Sequence, residues 1–124
     1  MWFRSHARDK REFLTSRTIQ EEADFLANCG LPEDVAEPVL AVRQAIATLA
    51  GVEAGYVHVT DSFARDLSHF DFWGSLDSVA VVLELEHALD VHISDEQAQR
   101  MPDPELIGDL TVADFIRSVL EVLQ

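Results

Sequence analysis

The segment from Phe72 to Ile93 constrains the fold of this chain more than any other. Its apolar side chains recur at three- and four-residue spacing, the period of one face of an α-helix; they are Leu76, Val79, Val82, Leu83 and Leu89. Gly74 permits a tight turn, and Ser75 is a residue type that caps helix N-termini. The pattern therefore predicts a long amphipathic helix that begins at Ser75.

The hydroxyl of Ser75 is predicted to lie at the positive end of this helix dipole, where a phosphate group is stabilised. Capped helix starts of this kind are common, and most of them are only structural. The functional alternative is that Ser75 carries a covalently attached group. This is the leading hypothesis.

The composition indicates one globular domain. The chain has 124 residues, of which 48% are apolar, enough for a single core of ordinary size. Its longest apolar run, Val79 to Leu83, is far shorter than a membrane span, and no apolar segment typical of a secretory signal follows the N-terminus. The single cysteine, Cys29, permits no internal disulfide and suits a reducing cytosol. We expect a cytoplasmic protein in which Cys29 is a half-buried structural residue.

The charge is distributed unevenly along the chain. Residues 1–17 hold five of the nine Arg and Lys but only two of the 23 Asp and Glu, so residues 18–124 carry four bases against 21 acids. A body this acidic repels phosphate backbones, which disfavours nucleic-acid binding. It favours encounter with proteins that have basic patches. The simpler alternative is that the acidity only keeps the protein soluble.

The N-terminal third is predicted to contain two parts. Residues 1–17 are expected to form a basic, flexible arm, which could also fold back onto the acidic body or dock on a partner; a mitochondrial targeting peptide is disfavoured by its two acids. Residues 18–34 are predicted to form an additional helix and turn. Its capping box runs from Thr18 to Glu21, and Gly30 ends it in the left-handed conformation. The side chains predicted to be buried are Ile19, Phe25 and Leu26.

Residues 35–124 are predicted to form the main helical bundle. A helix over 38–50 has Pro38 in its first turn and an apolar stripe of Val39, Val42, Ile46 and Leu49. Ser94 caps a short helix that ends at Arg100, and Thr111 caps the last helix. The buried side chains of that helix are predicted to be Phe115, Ile116, Val119, Leu120 and Leu123. Because no strand-like alternation occurs, the predicted fold is an all-α bundle.

A long connection, residues 51–74, separates the helix over 38–50 from the one that begins at Ser75. Loops of this length tend to be functional. Thr60, Asp61 and Ser62 are predicted to cap a short turn. Three aromatic residues follow, Phe70, Phe72 and Trp73. They either plug the core from the loop side or form an apolar wall beside Ser75.

From about Val35 to Leu123 the chain resembles the acyl carrier proteins and, more widely, the phosphopantetheine-carrying domains. The attachment motif of that family resembles Gly74-Ser75-Leu76-Asp77 here. The family's segment ahead of the motif and its helices after the motif also resemble parts of this chain. These parts are Asp61–Leu67, Leu85–Leu89, Val91–Glu96 and Thr111–Ile116. The resemblance implies a four-helix bundle with a long loop between its first two helices and, in this chain, an extra N-terminal helix.

What the resemblance implies for function is a carrier that is not itself an enzyme. Ser75 would receive 4′-phosphopantetheine from coenzyme A through a separate phosphopantetheinyl transferase, with Ser78 as a minor alternative. The arm would hold acyl or aminoacyl groups as thioesters in fatty-acid-like, lipid or secondary-metabolite biosynthesis. Acyl-loading and acyl-transferring enzymes with basic patches would dock on a monomeric carrier. The residues implied in docking are Leu76, Asp77, Val79, Leu83, Glu84 and Glu86.

Three departures from the family pattern favour a specialised carrier. Gly74 stands where an acid usually precedes the serine, the aromatic segment Ser68–Trp73 is extra, and residues 1–34 have no counterpart in a minimal carrier. An unmodified, carrier-like module that binds one basic partner is the alternative.

Metal chemistry is a further alternative. Glu84 and His87 have the i, i+3 spacing found in di-iron bundles, but such sites need a second Glu-x-x-His motif, which the sequence lacks. His92, with Asp90 and Asp95, could complete a surface site instead. The sequence therefore predicts no di-iron centre.

Overall fold

A computed structural model describes residues 10–69, 78–103 and 109–124 of the chain. These residues form an all-α bundle, as predicted, and their only β-type pairing is an isolated antiparallel bridge between Ser62 and Thr111. Six α-helices lie in the described residues: α1 over 10–15, α2 Glu22–Cys29, α3 Ala36–Ala50, α4 Ser78–Leu89, α5 Asp95–Arg100 and α6 Val112–Leu123. None of them combines the length and the apolar composition that crossing a membrane requires.

Helix α3 is the centre of the bundle, because it contacts α2, α4 and α6. It begins two residues before Pro38, which lies in its first turn as predicted, and Gly51 ends it with a φ of 72°. The predicted stripe is buried except for Leu49, which is half-buried. The core around α3 is completed from the other elements by Phe25, Val57, Val59, Leu67, Leu85, Phe115 and Ile116.

The predicted capping box at Thr18 is wrong. Helix α2 begins at Glu22, and Glu21 occupies the N-cap without a side-chain hydrogen bond. Residues 17–20 have no regular secondary structure, because their polar groups bind the loop after α3: the backbone N–H of Gln20 donates to the carbonyl of Gly55 at 2.9 Å. Tertiary hydrogen bonds therefore replace the local cap.

The predictions for the rest of α2 are confirmed in part. Phe25 is fully buried, Leu26 is half-buried, and Gly30 ends the helix with a φ of 71°. Ile19 was expected in the core but is 52% exposed, since the helix that was to place it there begins three residues after it.

Residues 10–17 lie on the bundle, which is the second of the alternatives considered for the arm. Phe13 and Leu14 are half-buried and pack against the core, and Arg17 pairs with the buried Asp61. Residues 1–9 lie outside the described part of the chain.

The caps predicted at the last two helices are confirmed. Ser94 and Gln97 form a reciprocal capping box at α5, and the hydroxyl of Thr111 accepts the backbone N–H of Asp114 at α6. Helix α6 buries the predicted Phe115, Ile116 and Val119, while Leu120 and Leu123 are half-buried.

A buried arginine, which the sequence analysis did not single out, ties α2, α3 and the loop together. Arg43 is only 2% exposed. Its guanidinium donates to the carbonyls of Val57 at 3.1 Å and Gln20 at 2.7 Å, and it lies 4.2 Å over the ring of Phe25. Burial lowers the pKa of Arg43, and the charge of Glu22 acts in the opposite direction. An arginine nevertheless stays protonated in a protein.

Replacing Arg43 by methionine is expected to lower the free energy of unfolding by about 2–5 kcal/mol, because the buried carbonyl of Val57 and the part-buried carbonyl of Gln20 lose their donor. The measurement is urea-induced unfolding followed by circular dichroism. Arg65, which is exposed, provides the control: Arg65→Met should change stability by less than about 0.5 kcal/mol. Equal effects of the two substitutions would contradict the assigned role of Arg43.

Candidate functional site

The predicted attachment motif falls between two described segments. Gly74, Ser75, Leu76 and Asp77 lie outside the described residues, as do the aromatic residues Phe70, Phe72 and Trp73. The first flank is the 3-10 turn Leu67–His69 and the second is helix α4, whose described part begins at Ser78. The candidate site is therefore built from these two flanks.

The described part of helix α4 packs on α3 through the face that carries Leu85. Leu85 lies at the middle of this face and is 1% exposed. The residues beside it are half-buried and pack against the core: Val81, Val82, Ala88 and Leu89. Burying an aliphatic side chain of this size contributes about 1.5–3 kcal/mol, so this face fixes α4 in the bundle.

A second apolar face of α4 is open to solvent. Val79 and Leu83 are 60% and 59% exposed, and their i, i+4 spacing makes them neighbours on the helix surface. The spacing in the sequence predicts one stripe that also includes Val82 and Leu89, but the structure divides that stripe between core and solvent. Adjacent exposed aliphatic residues are suited to contact another molecule. Val79 and Leu83 are thus accessible to another molecule, and their role in docking stays a prediction.

Two of the three acids predicted to face partners, Glu84 and Glu86, are half-buried, and the third, Asp77, lies outside the described residues. The Oε2 atom of Glu86 accepts the backbone N–H of Ile93 at 2.7 Å and lies 3.1 Å from Nδ1 of His92. Glu86 therefore holds the connection between α4 and α5, a structural role that the sequence did not indicate. Partner binding by Glu84 and Glu86 stays a prediction.

The chain leaves α4 through a single left-handed residue. Asp90 has a φ of 54°, a conformation that Asp tolerates better than most non-glycine residues. The backbone N–H of Val91 then donates to the carbonyl of Glu86 at 3.2 Å. This turn directs the chain toward α5 and leaves Val91 exposed just after the C-terminal end of α4.

The flank that precedes the motif is a compact turn, as predicted. The Oγ atom of Ser62 accepts the N–H of Arg65 at 3.3 Å, and Asp66 Oδ2 accepts the N–H of Ser62 at 2.8 Å. Phe63 and Leu67 are buried, and the ring of Phe63 lies 5.2 Å from that of Phe115 in α6. These anchors hold the loop on the bundle up to His69.

Asp61 is the residue of this loop whose role sequence reasoning missed. It is 2% exposed, and its carboxylate accepts both the guanidinium of Arg17 and the N–H of His58. Its position among buried apolar residues of the loop is the one signal that could have revealed a buried carboxylate that needs a cation. Nothing in the sequence indicates that Arg17, 44 residues away, supplies it.

Within the described ranges, no group of three or more His, Cys, Asp or Glu side chains is placed to hold a metal ion. The ring nitrogen Nδ1 of His92 faces Glu86 instead of forming a site with Asp90 and Asp95.

The chain matches no protein-family model and no solved structure.

Paired substitutions in α4 distinguish its two faces. Leu85→Ala is expected to lower the free energy of unfolding by about 2–5 kcal/mol, because it leaves a cavity in the core. Leu83→Ala removes the same atoms from an exposed position and should change stability by less than about 0.5 kcal/mol. Thermal and urea unfolding measure both. A large destabilisation by Leu83→Ala would show that its face is covered in the folded protein.

Proposed function

We propose that this chain is a carrier protein that tethers acyl or aminoacyl groups as thioesters on a 4′-phosphopantetheine arm attached to Ser75. The observation that carries the proposal is the exposed pair Val79 and Leu83, on the helix that follows Ser75 in an all-α bundle. The resemblance of the sequence to acyl carrier proteins supplies the identity of the arm. Such a carrier serves fatty-acid-like, lipid or secondary-metabolite biosynthesis in the cytoplasm.

In this proposal the chain supplies the acceptor hydroxyl and a second protein supplies the catalysis. The Ser75 hydroxyl is the acceptor, and a separate phosphopantetheinyl transferase supplies the catalytic groups and takes the arm from coenzyme A. The arm, once attached, supplies the thiol that holds the acyl group. The chain itself then binds partners in turn and is not an enzyme.

Partner docking is proposed to use the open face of α4. Val79 and Leu83 supply apolar contact, and the acidic body attracts enzymes with basic patches and speeds their encounter. Asp77, Glu84 and Glu86 are the proposed charged contacts, with Leu76 extending the apolar face. Because the apolar pair is exposed in the free protein, its burial in a complex stabilises that complex without a prior rearrangement of the core.

The second candidate is an unmodified interaction module. The open face of α4 supports this function too, since neither Val79 nor Leu83 requires a modified Ser75. Modification of Ser75 is therefore the property that separates the two candidates.

Co-expression with phosphopantetheinyl transferases of broad and narrow specificity is expected to add one phosphopantetheine to the intact mass of the wild-type chain. Ser75→Ala should abolish the mass increase, because the acceptor oxygen is gone. Ser78→Ala is the matched control and should be modified like the wild type. A wild-type chain that no transferase modifies would rule out the carrier and favour the interaction module.

The reactivity of thiols in the folded chain gives a second test of the modification. Cys29 is 1% exposed, and burial raises the pKa of its thiol, while the charges of Arg117 and Arg43 act in the opposite direction. Since the thiolate is the reactive form, the folded unmodified chain is expected to react with a thiol reagent only slowly. The modified chain should show one fast thiol, that of the arm. Fast reaction of the unmodified chain, absent in Cys29→Ala, would show that Cys29 is not protected by the fold.

A further inference from the structure

The loop after α3 holds an acidic site that an arginine of the N-terminal segment fills. Asp61 is 2% exposed, and Nη1 of Arg17 donates to its Oδ2 atom at 2.8 Å. The same nitrogen donates to the carbonyl of Tyr56 at 2.8 Å, and Nη2 contacts Oδ1 of the carboxylate. Parallel contacts between a guanidinium and a carboxylate fix direction as well as distance. A lysine ammonium cannot make this set of contacts, so the site selects arginine.

The residues that follow the arginine are bound mainly through their backbone. The carbonyl of Thr18 lies 2.6 Å from Nε2 of His58. The backbone N–H of Gln20 donates to the carbonyl of Gly55 at 2.9 Å, and the side-chain oxygen of Gln20 accepts the N–H of Val59 at 2.9 Å. The loop therefore binds the path of the backbone at position 18 and the side chain at position 20.

The position between these two fits against a glycine. A Cβ atom on Gly55 would lie 2.5 Å from Cγ2 of Ile19, closer than side chains tolerate. The missing side chain at Gly55 thus makes room for an aliphatic residue two positions after the arginine. Together the contacts favour one pattern, which is arginine, any residue, an aliphatic residue and glutamine.

The loop is anchored without the help of the N-terminal segment. Its backbone pairs with the start of α6, where the N–H of Val112 donates to the carbonyl of Asp61 at 2.8 Å and that of Ala113 to the carbonyl of Val59 at 3.1 Å. Four of its apolar side chains are buried in the core: Val57, Val59, Phe63 and Leu67. We therefore expect the site to keep its shape when the segment leaves.

The segment over residues 10–20 is held far less firmly than the loop. None of its residues is fully buried, and the first buried side chain along the described chain is that of Phe25. Its half-buried apolar residues are Phe13 and Leu14, and the rest of its contacts with the loop are mainly polar. Segments with few buried apolar contacts open at a low free energy. The segment is therefore suited to be displaced from a site that stays in place.

We propose that the loop over residues 55–61 is a binding site for an arginine-bearing segment of a partner protein, and that residues 17–20 occupy it in cis as an autoinhibitory contact. A second copy of this chain carries the same pattern, but the segment of each copy has the advantage of belonging to the same chain as its site. The occupant in trans is therefore a different protein. This site is separate from the open face of α4 and does not depend on modification of Ser75.

A labelled synthetic peptide of residues 10–21 tests the site in trans. Arg17→Gln in the full-length chain weakens the cis segment, which frees the site in a larger fraction of molecules, and apparent affinity rises with that fraction. Fluorescence anisotropy should show the peptide binding the Arg17→Gln chain about tenfold or more tightly than the wild type. A peptide that carries Arg17→Gln itself should bind about tenfold or more weakly, because it leaves the carboxylate without a cation.

Arg11→Gln in the chain and Thr15→Ala in the peptide are the matched controls, because both residues are exposed. The Arg11→Gln chain should bind the peptide as weakly as the wild type, and the Thr15→Ala peptide should bind as tightly as the unchanged one. A chain with both Arg17→Gln and Asp61→Asn should lose the binding. If Arg17→Gln fails to fold, Phe13→Ala takes its place and should also increase binding, since it weakens the segment and leaves the ion pair intact.

Hydrogen exchange of the wild-type chain tests whether the segment leaves the loop. The N–H of Gln20, which bonds to Gly55, should exchange about tenfold or more faster than that of Val112, which bonds to Asp61, because the segment opens while the loop stays closed. Equal protection of the two amides would overturn the inference, as would a peptide that binds the Arg17→Gln chain no better than the wild type. Wild-type dimers that Arg17→Gln abolishes would overturn the assignment to a different protein and identify a second copy as the occupant.

Discussion

Asp61, with its buried carboxylate, joins the N-terminal segment, the loop after α3 and the start of α6. It is paired with Arg17 from the N-terminal segment, it accepts the N–H of His58, and its backbone carbonyl accepts the N–H of Val112 at the start of α6 at 2.8 Å. Taking two charges out of water is costly, and the pair repays that cost only when both groups are well hydrogen-bonded. Here Arg17 of the N-terminal segment and His58 of the loop bind the carboxylate, and α6 binds the backbone carbonyl of the same residue. The loop, the segment and the last helix therefore depend on one another.

Arg43 supplies hydrogen-bond donors to backbone carbonyls of the loop and of the N-terminal segment. A segment without regular secondary structure has backbone carbonyls that no neighbouring strand or turn satisfies, and buried carbonyls need donors. The guanidinium of Arg43 donates to one carbonyl in the loop and to one in the N-terminal segment. Arg43 in α3 and Arg17 in the N-terminal segment thus supply hydrogen bonds to the loop over residues 51–69, where no sheet supplies them.

Helix α4 shows how stability and the proposed function share one element. Its inner face, with Leu85 at the middle, fixes the helix on α3, and its outer face keeps Val79 and Leu83 in solvent. Glu86, which closes the turn toward α5, keeps the end of the helix in place. The outer face is therefore already formed in the free protein, which reduces the ordering cost of the proposed docking.

Local chemistry was enough to predict the fold class, the order of helices α2 to α6 and most of their ends, but not helix α1, which lies where a flexible arm was expected. Ser94, Thr111, Gly30 and Gly51 act through hydrogen bonds or backbone conformation within a few residues, so their roles are legible in the sequence. The period of the apolar residues likewise predicted the buried faces of α3 and α6. The identity of Ser75 as an attachment residue remains a prediction from the sequence, since it lies outside the described residues.

The tertiary structure decided what depends on distant parts of the chain. The capping box at Thr18 gave way because residues 17–20 gain more hydrogen bonds from the loop than one local cap supplies. Spacing alone could not tell which apolar residues of α4 face the core, because almost every position of that helix near Val79 is apolar and only its contact with α3 selects the inner face. The pairing of Arg17 with Asp61 has no local signal at all: a buried charge needs an opposite charge, but only the folded chain determines which one reaches it.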